Sequence, residues 1–565
     1  MIHTQQKTEK TLRIIPLGGL GEVGRNMMVL EYDKEIIIID VGIGFPDEDM
    51  PGVDFIIPNP KYLEGKQKQI RGIIFTHGHF DHVGALPYLI NQLGNPVIYT
   101  APLTRGMIMK RHEDFQNMPK LKIVDVKDGE EVMLGRNFRA EFIHVNHTIP
   151  DDMAVVIKTP IGNLFHTSDY KFDEKPVNDK PAQIERLREI GKDGILLMTG
   201  DSTGVEKEGH SLSESVIQIN LEEVVKNAKG RVIAATFSSL LTRIQQLIYI
   251  AEKLGRKVVI EGFSMRSNVE IAKQLGYMKI QKGTIISAEE SEKLPLHKVL
   301  VLGTGAQGES RAFLMRVVTG EHRVLKIEKG DTLIFSSSVI PGNERAIQSL
   351  KDAIYRQGGR VFHYNMMDIH ASGHGHREDL KQMIGLINPE FFMPVHGNYS
   401  MLVIHGDLAE SLGIPRKNIV IAENGDVILA AKDRVFLSKE KVPANYIMVD
   451  GLGVGDVSEV VLRDRQVMSK DGMFVIITVI DSETGKVKGN PDIISRGFIY
   501  MKESQELLAQ TRKKVKEIIA KTASGGQGKG FNWLYVRDNL RDRIGQFLYS
   551  KTKRRPMILP VVIEI

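Results

Sequence analysis

The chemistry of this chain gathers in Thr76-His77-Gly78-His79-Phe80-Asp81-His82, where three histidines and one aspartate fall within six residues. Neutral imidazole and carboxylate are ligands for zinc or a similar divalent ion, and donors this dense exceed what one four-coordinate site can use. The spacing therefore predicts two adjacent cations. Ile73-Ile74-Phe75 ahead of the cluster reads as a buried strand. Gly84 and the apolar residues after it read as a helix beginning near Asp81. His77 and His79 are then expected on a strand-to-helix loop, with Asp81 and His82 at the helix mouth.

Further ligands must come from other strand ends. Residues 140–145 read as a strand entering Asn146-His147-Thr148-Ile149-Pro150-Asp151, which makes His147 the candidate. His144 alternates with apolar neighbours and reads as structural, as does His166. A hairpin of 154–158 and 163–166 ends in Ser168-Asp169-Tyr170, where Asp169 could bridge two cations and cancel charge between them. His396, in Pro394-Val395-His396-Gly397, is the natural last ligand. Asp40, at the end of the apolar run 36–39, could orient a ligand histidine. His374 sits in the small-residue loop Ser372-Gly373-His374-Gly375, whose N–H groups and Ser372 hydroxyl could hold phosphate oxygens.

The elements that position these residues follow in order. Residues 12–17 read as a strand leading into Gly18-Gly19-Leu20-Gly21-Glu22-Val23-Gly24. A dinucleotide loop needs a helix next, yet 27–32 reads as a second strand, so a tight hairpin bordering the metal site is expected. Asp47-Glu48-Asp49 reads as a solvated loop. The strand at 195–198 breaks at Thr199-Gly200-Asp201. Strands at 232–235, 258–260, 299–302 and 332–335 then alternate with helices at 240–254, 268–275, 309–318 and 343–357, a doubly wound pattern. Its polar turns, Gly305 to Glu309 and Ser336-Ser337-Ser338, lie where such sheets bind ligands. Candidate ligands fall on both sides of this block, so it is an insertion into the metal domain. Residues 443–456 read as a linker. A small α+β module follows, with strands at 474–480 and 558–565, helices at 504–521 and 533–549, and a flexible glycine-rich loop at 522–530.

Composition sets bounds. A length of 565 residues implies several domains, and 42% apolar with 26% charged residues is an ordinary soluble balance. With no cysteine, disulfides and thiolate metal sites are excluded, which fits a cytoplasmic protein. Residues 1–10 lack a signal-peptide run, and no apolar stretch approaches the ~20 residues that span a bilayer, so no membrane partner is expected. Residues 501–565 hold 14 Lys and Arg against 6 Asp and Glu, a net +8 that leaves −3 for the first 500 residues. A basic tail on a slightly acidic body suggests a polyanionic partner. The charges of 501–521 read as a solvated helix face, whereas Lys551, Lys553, Arg554 and Arg555 read equally as RNA contacts or as a charged guard before an apolar strand.

His77-Gly78-His79-Phe80-Asp81-His82 with His147, Asp169 and His396 resembles the metallo-β-lactamase fold, and the loops of Asp201, His374 and His396 resemble motifs of its β-CASP branch. The opening at 16–24, Ser372-Gly373-His374, Pro394-Val395-His396-Gly397 and Arg554-Arg555-Pro556-Met557-Ile558-Leu559-Pro560 resemble the bacterial ribonuclease J family, over essentially the whole chain. The resemblance implies an α/β protein: a metallo-β-lactamase αββα sandwich (1–212 and 369–442) with an inserted doubly wound β-CASP domain (213–368), a linker (443–460) and a small α+β C-terminal domain (461–565). It implies a ribonuclease of RNA maturation and decay, acting 5′-to-3′ with preference for a 5′-monophosphate and also cutting internally. The implied partners are RNA, a second copy or a tetramer through the C-terminal domain, and other RNA-decay proteins.

Residue by residue, the resemblance gives one ion, Zn2+ or alternatively Mn2+, to His77, His79 and His147. The second takes Asp81, His82 and His396, with Asp169 bridging. Asp81, Asp169 and His374 would be catalytic, and Ser372, Gly373, His374, Ser337 and Asp201 would contact substrate. Phe263 stands where the resemblance leads one to expect arginine, which bears on one backbone contact. Two cations acidify water from a pKa near 15.7 toward about 7, and in-line attack leaves a 5′-phosphate and a 3′-hydroxyl. His374 could stabilise developing charge or protonate the leaving oxygen. A small-molecule hydrolase of the same fold would leave the insertion and basic tail unexplained. A silent subunit of an RNA-decay assembly is the other rival, opposed by the presence of all seven ligand positions.

Overall fold

The strand Glu35–Ile39 is buried at all five positions, as expected where both faces of a sheet are covered. It lies inside an eight-stranded mixed sheet ordered Arg434–Lys441, Asp426–Ala431, Leu12–Gly18, Met27–Tyr32, Glu35–Ile39, Ile70–Ile74, Val97–Thr100, Lys122–Asp125. A six-stranded sheet faces it, ordered Phe391–Val395, Leu197–Asp201, Asn163–His166, Met153–Lys158, Phe138–His144, Glu131–Leu134. Ile14, Ile37, Ile39 and Ile74 of the first sheet meet Phe138, Phe142, Val155 and Met393 of the second in one core. Each such side chain contributes about 1.5–3 kcal/mol on burial. These two sheets with their outer helices are the expected αββα sandwich. The computed structural model describes residues 10–565 except 48, 310–311, 338, 340–342, 452, 456–458, 482–483, 485 and 524–532. Glu48, Ser338 and most of the loop expected at 522–530 therefore lie outside the described residues.

Strand direction decides where the site lies. Phe138–His144, Asn163–His166, Leu197–Asp201 and Phe391–Val395 all run the same way, so their carboxyl ends share one edge. In the facing sheet Glu35–Ile39 and Ile70–Ile74 are likewise parallel neighbours. Asp40, His77, His147, Asp169, Asp201 and His396 all sit at or just beyond such ends. Asp40, Ser168 and His396 take positive φ (60°, 57° and 51°), a conformation that non-glycine residues hold only when their surroundings enforce it, as they do at functional sites.

The insertion is visible in the pairing. Leu197–Asp201 and Phe391–Val395 are hydrogen-bonded parallel neighbours, and the chain between them builds its own sheet. That sheet is parallel throughout, ordered Ile285–Ile286, Lys257–Ile260, Val299–Gly303, Val232–Ala235, Thr332–Phe335, Arg360–His363. Four of the six strands match the sequence expectation; Ile285–Ile286 and Arg360–His363 add one at each edge. The expected break at Thr199 is corrected: pairing with Phe391–Val395 carries that strand through Asp201. The helix expected at 268–275 begins earlier, at Phe263, whose ring is 67% exposed, and its first turn already buries Met265 in line with Val269 and Ala272. The helix expected from 309 begins at Phe313.

A buried charge network ties the insertion down. Arg243, fully buried, donates from Nη2 to Glu214 Oε2 at 2.8 Å, from Nη1 to Ile369 O at 2.8 Å, and to Ser336 Oγ. Lys171 of the sandwich reaches Glu214 Oε1 at 3.3 Å. Burial works against the Glu214 charge, but Arg243 and Lys171 outweigh it and hold the carboxyl down to about 2.

The chain divides into two units, residues 1–45 with 56–447, and residues 46–55 with 448–565. In the second, Met473–Ile480 pairs antiparallel with Val487–Arg496 and parallel with Met557–Glu564. Helices Gln505–Ala523 and Trp533–Thr552 supply Leu508, Val515, Leu540 and Ile544 to a core with Phe474 and Ile476. The linker expectation is corrected in part. Ile447–Asp450 and Gly453–Val454 pair as strands, and Glu459–Asp471 is a helix whose described side chains include none that is buried, hence no periodic signal. Arg554 is committed to structure: it donates to Phe498 O and Gly497 O and faces Asp471. Arg555 stacks over Tyr549 at 4.4 Å. No described helix is long and apolar enough to cross a membrane.

Candidate metal centre

Three imidazole nitrogens meet at one point. His77 Nε2 lies 3.0 Å and His147 Nε2 3.1 Å from His79 Nδ1. Lone pairs so placed repel unless something cationic sits among them, and one proton cannot serve three acceptors. Burial pushes all three rings toward neutrality, His79 down to about 4 and His77 and His147 well below the usual histidine range. Neutral imidazole is the form that binds a metal. The outer nitrogens fix the tautomers: His147 Nδ1 donates to Gly373 O at 2.8 Å, and His77 Nδ1 faces Thr76 Oγ1 at 3.1 Å and Asp152 Oδ2 at 3.3 Å.

A second group lies beside the first. Asp81, His82, Asp169 and His396 bring their ligand atoms within 4.8 Å of one another, as do His77, His79 and His147 in the first group. Asp169 Oδ2 is 3.2 Å from His82 Nε2 and 3.9 Å from His77 Nε2, so this carboxylate faces both groups. Asp81 Oδ2 is 3.7 Å from His82 Nε2 and 3.5 Å from His396 Nε2. The His396 Nε2 atom is buried and has no hydrogen-bond partner among the described residues, an orphan aimed at the carboxylates. Burial opposes the charges here too, yet His82 and His396 are raised well above the usual range, chiefly by Asp169. The same pairing holds Asp81 and Asp169 below the carboxylate range against the opposing effect of burial. The donor set and the orphaned nitrogen fit two divalent cations.

The supports are long-range. His82 Nδ1 donates to Asp40 Oδ2 at 2.8 Å, and Asp40 accepts from the Thr76 backbone at 2.9 Å. Thr203 Oγ1 lies 3.1 Å from His396 Nδ1. Gly42 lies against the metal loop so closely that a Cβ there would come 1.6 Å from Asp81 O. A Cβ at Gly373 would come within 2.5 Å of the His147 ring.

His374 flanks both groups, its ring 5.2 Å from that of His147 and 5.5 Å from that of His396. Its Nδ1 donates to Asp201 Oδ2 at 2.8 Å, and its backbone N–H donates to Ser372 Oγ at 3.1 Å. Burial opposes its charge, but Asp201 and Asp169 raise it above the ordinary value. Asp201, Ser372, Gly373 and His374 thus gather at the cluster. Ser337 does not: it is buried in the inserted domain, accepting from Gln307 Nε2 at 3.1 Å. Among residues missed in the sequence, Asp152 lies beneath His77 and Thr203 beneath His396. No spacing announces either, because each is brought in by strand pairing.

Comparison with known proteins agrees with this architecture. Residues 20–213 match the metallo-beta-lactamase superfamily and 229–354 match the ribonuclease J beta-CASP domain. Residues 362–422 match the Zn-dependent metallo-hydrolase RNA specificity domain, and 460–565 the ribonuclease J C-terminal domain. The chain is 38% identical to ribonuclease J 1 of Streptococcus pyogenes serotype M3 over 97% of each protein. It is 35% identical to ribonuclease J2 of Bacillus subtilis strain 168, over 99% of this chain and 100% of the relative. It is 36% identical to ribonuclease J 2 of Staphylococcus aureus strain MRSA252, over 99% of each. A solved structure from Enterococcus faecalis V583, described as a protein of unknown function, superposes with a TM-score of 0.54 at 17% identity, covering 74% of this chain and all of that one, and shares the fold.

Proposed function

The chain belongs to the ribonuclease J family, and from that premise we propose that it is a metal-dependent ribonuclease hydrolysing RNA phosphodiester bonds. Within that reading it acts 5′-to-3′ from monophosphorylated ends, with internal cleavage as a second activity, in RNA maturation and decay. The observation that carries it is the convergence of seven candidate ligand side chains from strand ends and the short helix Phe80–Val83, with His374 locked against Asp201 beside them. We assign one cation to His77, His79 and His147, the other to Asp81, His82 and His396, and the bridge to Asp169; imidazole with carboxylate suits Zn2+ first and Mn2+ second. When bound, the cations supply Lewis acidity that makes water available as a nucleophile near neutral pH and offsets charge on the phosphodiester.

The protein's own part is positional and protonic. Asp40, Gly373 O and Thr203 hold ligand rings in one orientation. His374, its Nδ1 proton spent on Asp201, keeps Nε2 for the phosphate or the leaving oxygen, and its raised pKa keeps that atom protonated beyond the ordinary histidine range. In the loop beside it, the His374 N–H is spent on Ser372 Oγ and the Gly375 N–H on Tyr170 O, so these two groups hold the loop in place beside the cluster.

The domain limits given above and a cytoplasmic setting belong to the same reading. So does association through the C-terminal module, supported by its sheet face. Leu559, Val561 and Ile563 are 46, 37 and 44% exposed there, with Val475 and Ile477 as neighbours in register. The test is digestion of 5′-labelled monophosphorylated RNA by wild type, H79A and D81A, with metal content and product termini measured. Wild type should yield 5′-phosphate products and both variants should fall at least ~10³-fold, as expected when a group essential to the chemistry is lost. Equal activity in the variants, or none in zinc- or manganese-loaded wild type, overturns the assignment.

A further inference from the structure

Phe80 stands in the chain between two ligands, His79 and Asp81, and is 42% exposed. An exposed phenyl ring contributes nothing to a core, and the metal loop gains nothing from one. Its backbone is pinned: Phe80 O accepts from Ile43 N at 3.0 Å and from Gly84 N at 2.7 Å. The ring therefore has a fixed root beside the metal groups.

A cation lies over it. Arg111 is on helix Pro102–His112, one turn after Met107. Met107 packs so tightly on Gly78 that a Cβ there would come 2.8 Å from its Sδ. Residues four apart share a helix face, so the face bearing Arg111 lies along the metal loop. The guanidinium centre is 5.3 Å from the ring centre of Phe80 and 5.3 Å from that of Phe115. Phe115 in turn meets Tyr88 edge-to-face at 5.2 Å. Arg111 makes no ion pair and no side-chain hydrogen bond among the described residues, and its Nε is buried without a partner. On the same helix Arg105 pairs with Asp125 at 3.1 Å. Arg111 is thus a guanidinium oriented by aromatic rings alone, with its donors unspent.

Resting on the RNA-hydrolysis reading above, we propose that Phe80 and Arg111 form a nucleotide subsite beside the metal centre, Phe80 stacking a base of single-stranded RNA and Arg111 holding a backbone phosphate next to the cleaved bond. Aromatic stacking takes any base, since every base has a π face, and guanidinium matches phosphate geometry with paired donors. The subsite therefore grips RNA without reading its sequence. Phe80 and Arg111 are binding residues and take no part in proton transfer.

The test uses the full chain loaded with zinc, and a fluorescent, phosphorothioate-substituted, cleavage-resistant RNA strand of about ten nucleotides. Anisotropy titrations across salt compare wild type with F80A, F80W, R111A and R111K, alongside metal content and melting temperature. F80A and R111A should weaken binding ~10–100-fold with metal content unchanged. R111A should lower the slope of log affinity against log salt by about 0.7, one single-strand phosphate contact, while R111K keeps most of that slope. F80W should bind as tightly as wild type or more so, and it creates no cavity, so it remains informative if F80A fails to fold. Unchanged affinity in F80A and R111A overturns the subsite, and so does a loss of melting temperature without loss of affinity. A metal-loaded wild type that neither binds this strand nor cleaves its unmodified counterpart overturns the underlying function instead.

Discussion

His374 and the three histidines of the first metal group sit within one cluster and are pushed in opposite directions. His77, His79 and His147 face one another in a buried pocket, and burial leaves them neutral. His374 is partly buried, and Asp201 at 2.8 Å and Asp169 nearby outweigh the cost of that burial and raise its pKa. A raised histidine is fully charged below the ordinary value and loses its proton as pH rises through the folded value. Activity that needs protonated His374 should therefore persist above the ordinary histidine range and decline on the alkaline side. Replacing Asp201 by Asn removes the charge that raises it, so the alkaline decline of kcat should move to lower pH in D201N. A profile of kcat against pH for wild type and D201N checks this; an unmoved alkaline limb would remove His374 from proton transfer.

At the scale of elements, the helices Glu214–Asn227 and Leu241–Lys253 and the segments around Lys171 and Ile369 are tied together inside the protein by one buried polar network. Removing one partner of a buried ion pair leaves the other uncompensated and costs about 3–5 kcal/mol. Arg243→Ala should destabilise the chain by that amount, measured as a shift in denaturant unfolding followed by far-ultraviolet circular dichroism. The single tryptophan, Trp533, belongs to the other unit and would report on the wrong body. Adding Glu214→Gln to R243A should recover part of the loss, because the stranded carboxylate is gone. If R243A unfolds like wild type, the network is not what fastens the insertion.

For the whole molecule, one sheet face of the C-terminal unit sets the expectation. Its inner face carries Phe474, Ile476 and Ile558 into a core, while its outer face leaves Ile494, Leu559, Val561 and Ile563 in solvent. Contiguous apolar surface of this kind marks interaction sites. If copies of the chain pair through it, Val561→Glu in the full-length protein should at least halve the mass measured by light scattering and leave metal content intact. A wild type that is monomeric at micromolar concentration, or a V561E protein of unchanged mass, would exclude this face as the contact.

The candidate ligands were legible in the sequence because their signal is local: a histidine or aspartate where an apolar run meets a glycine turn is a candidate donor at a strand end, whatever the strand pairs with. His77, His147, Asp169 and His396 have that character, while His79, Asp81 and His82 carry the first cluster on into a short helix; the insertion was legible too, since candidate ligands flank an α/β repeat. What the sequence could not contain is which strand end lies beside which. Leu197–Asp201 next to Phe391–Val395 puts His396 over Thr203 and Asp201. Burial then brings Asp152 under His77 and Arg111 over Phe80. Those juxtapositions belong to parallel pairing between distant segments and to helix packing, so tertiary structure alone decided the tautomers, the direction of each pKa shift and the rim of the site.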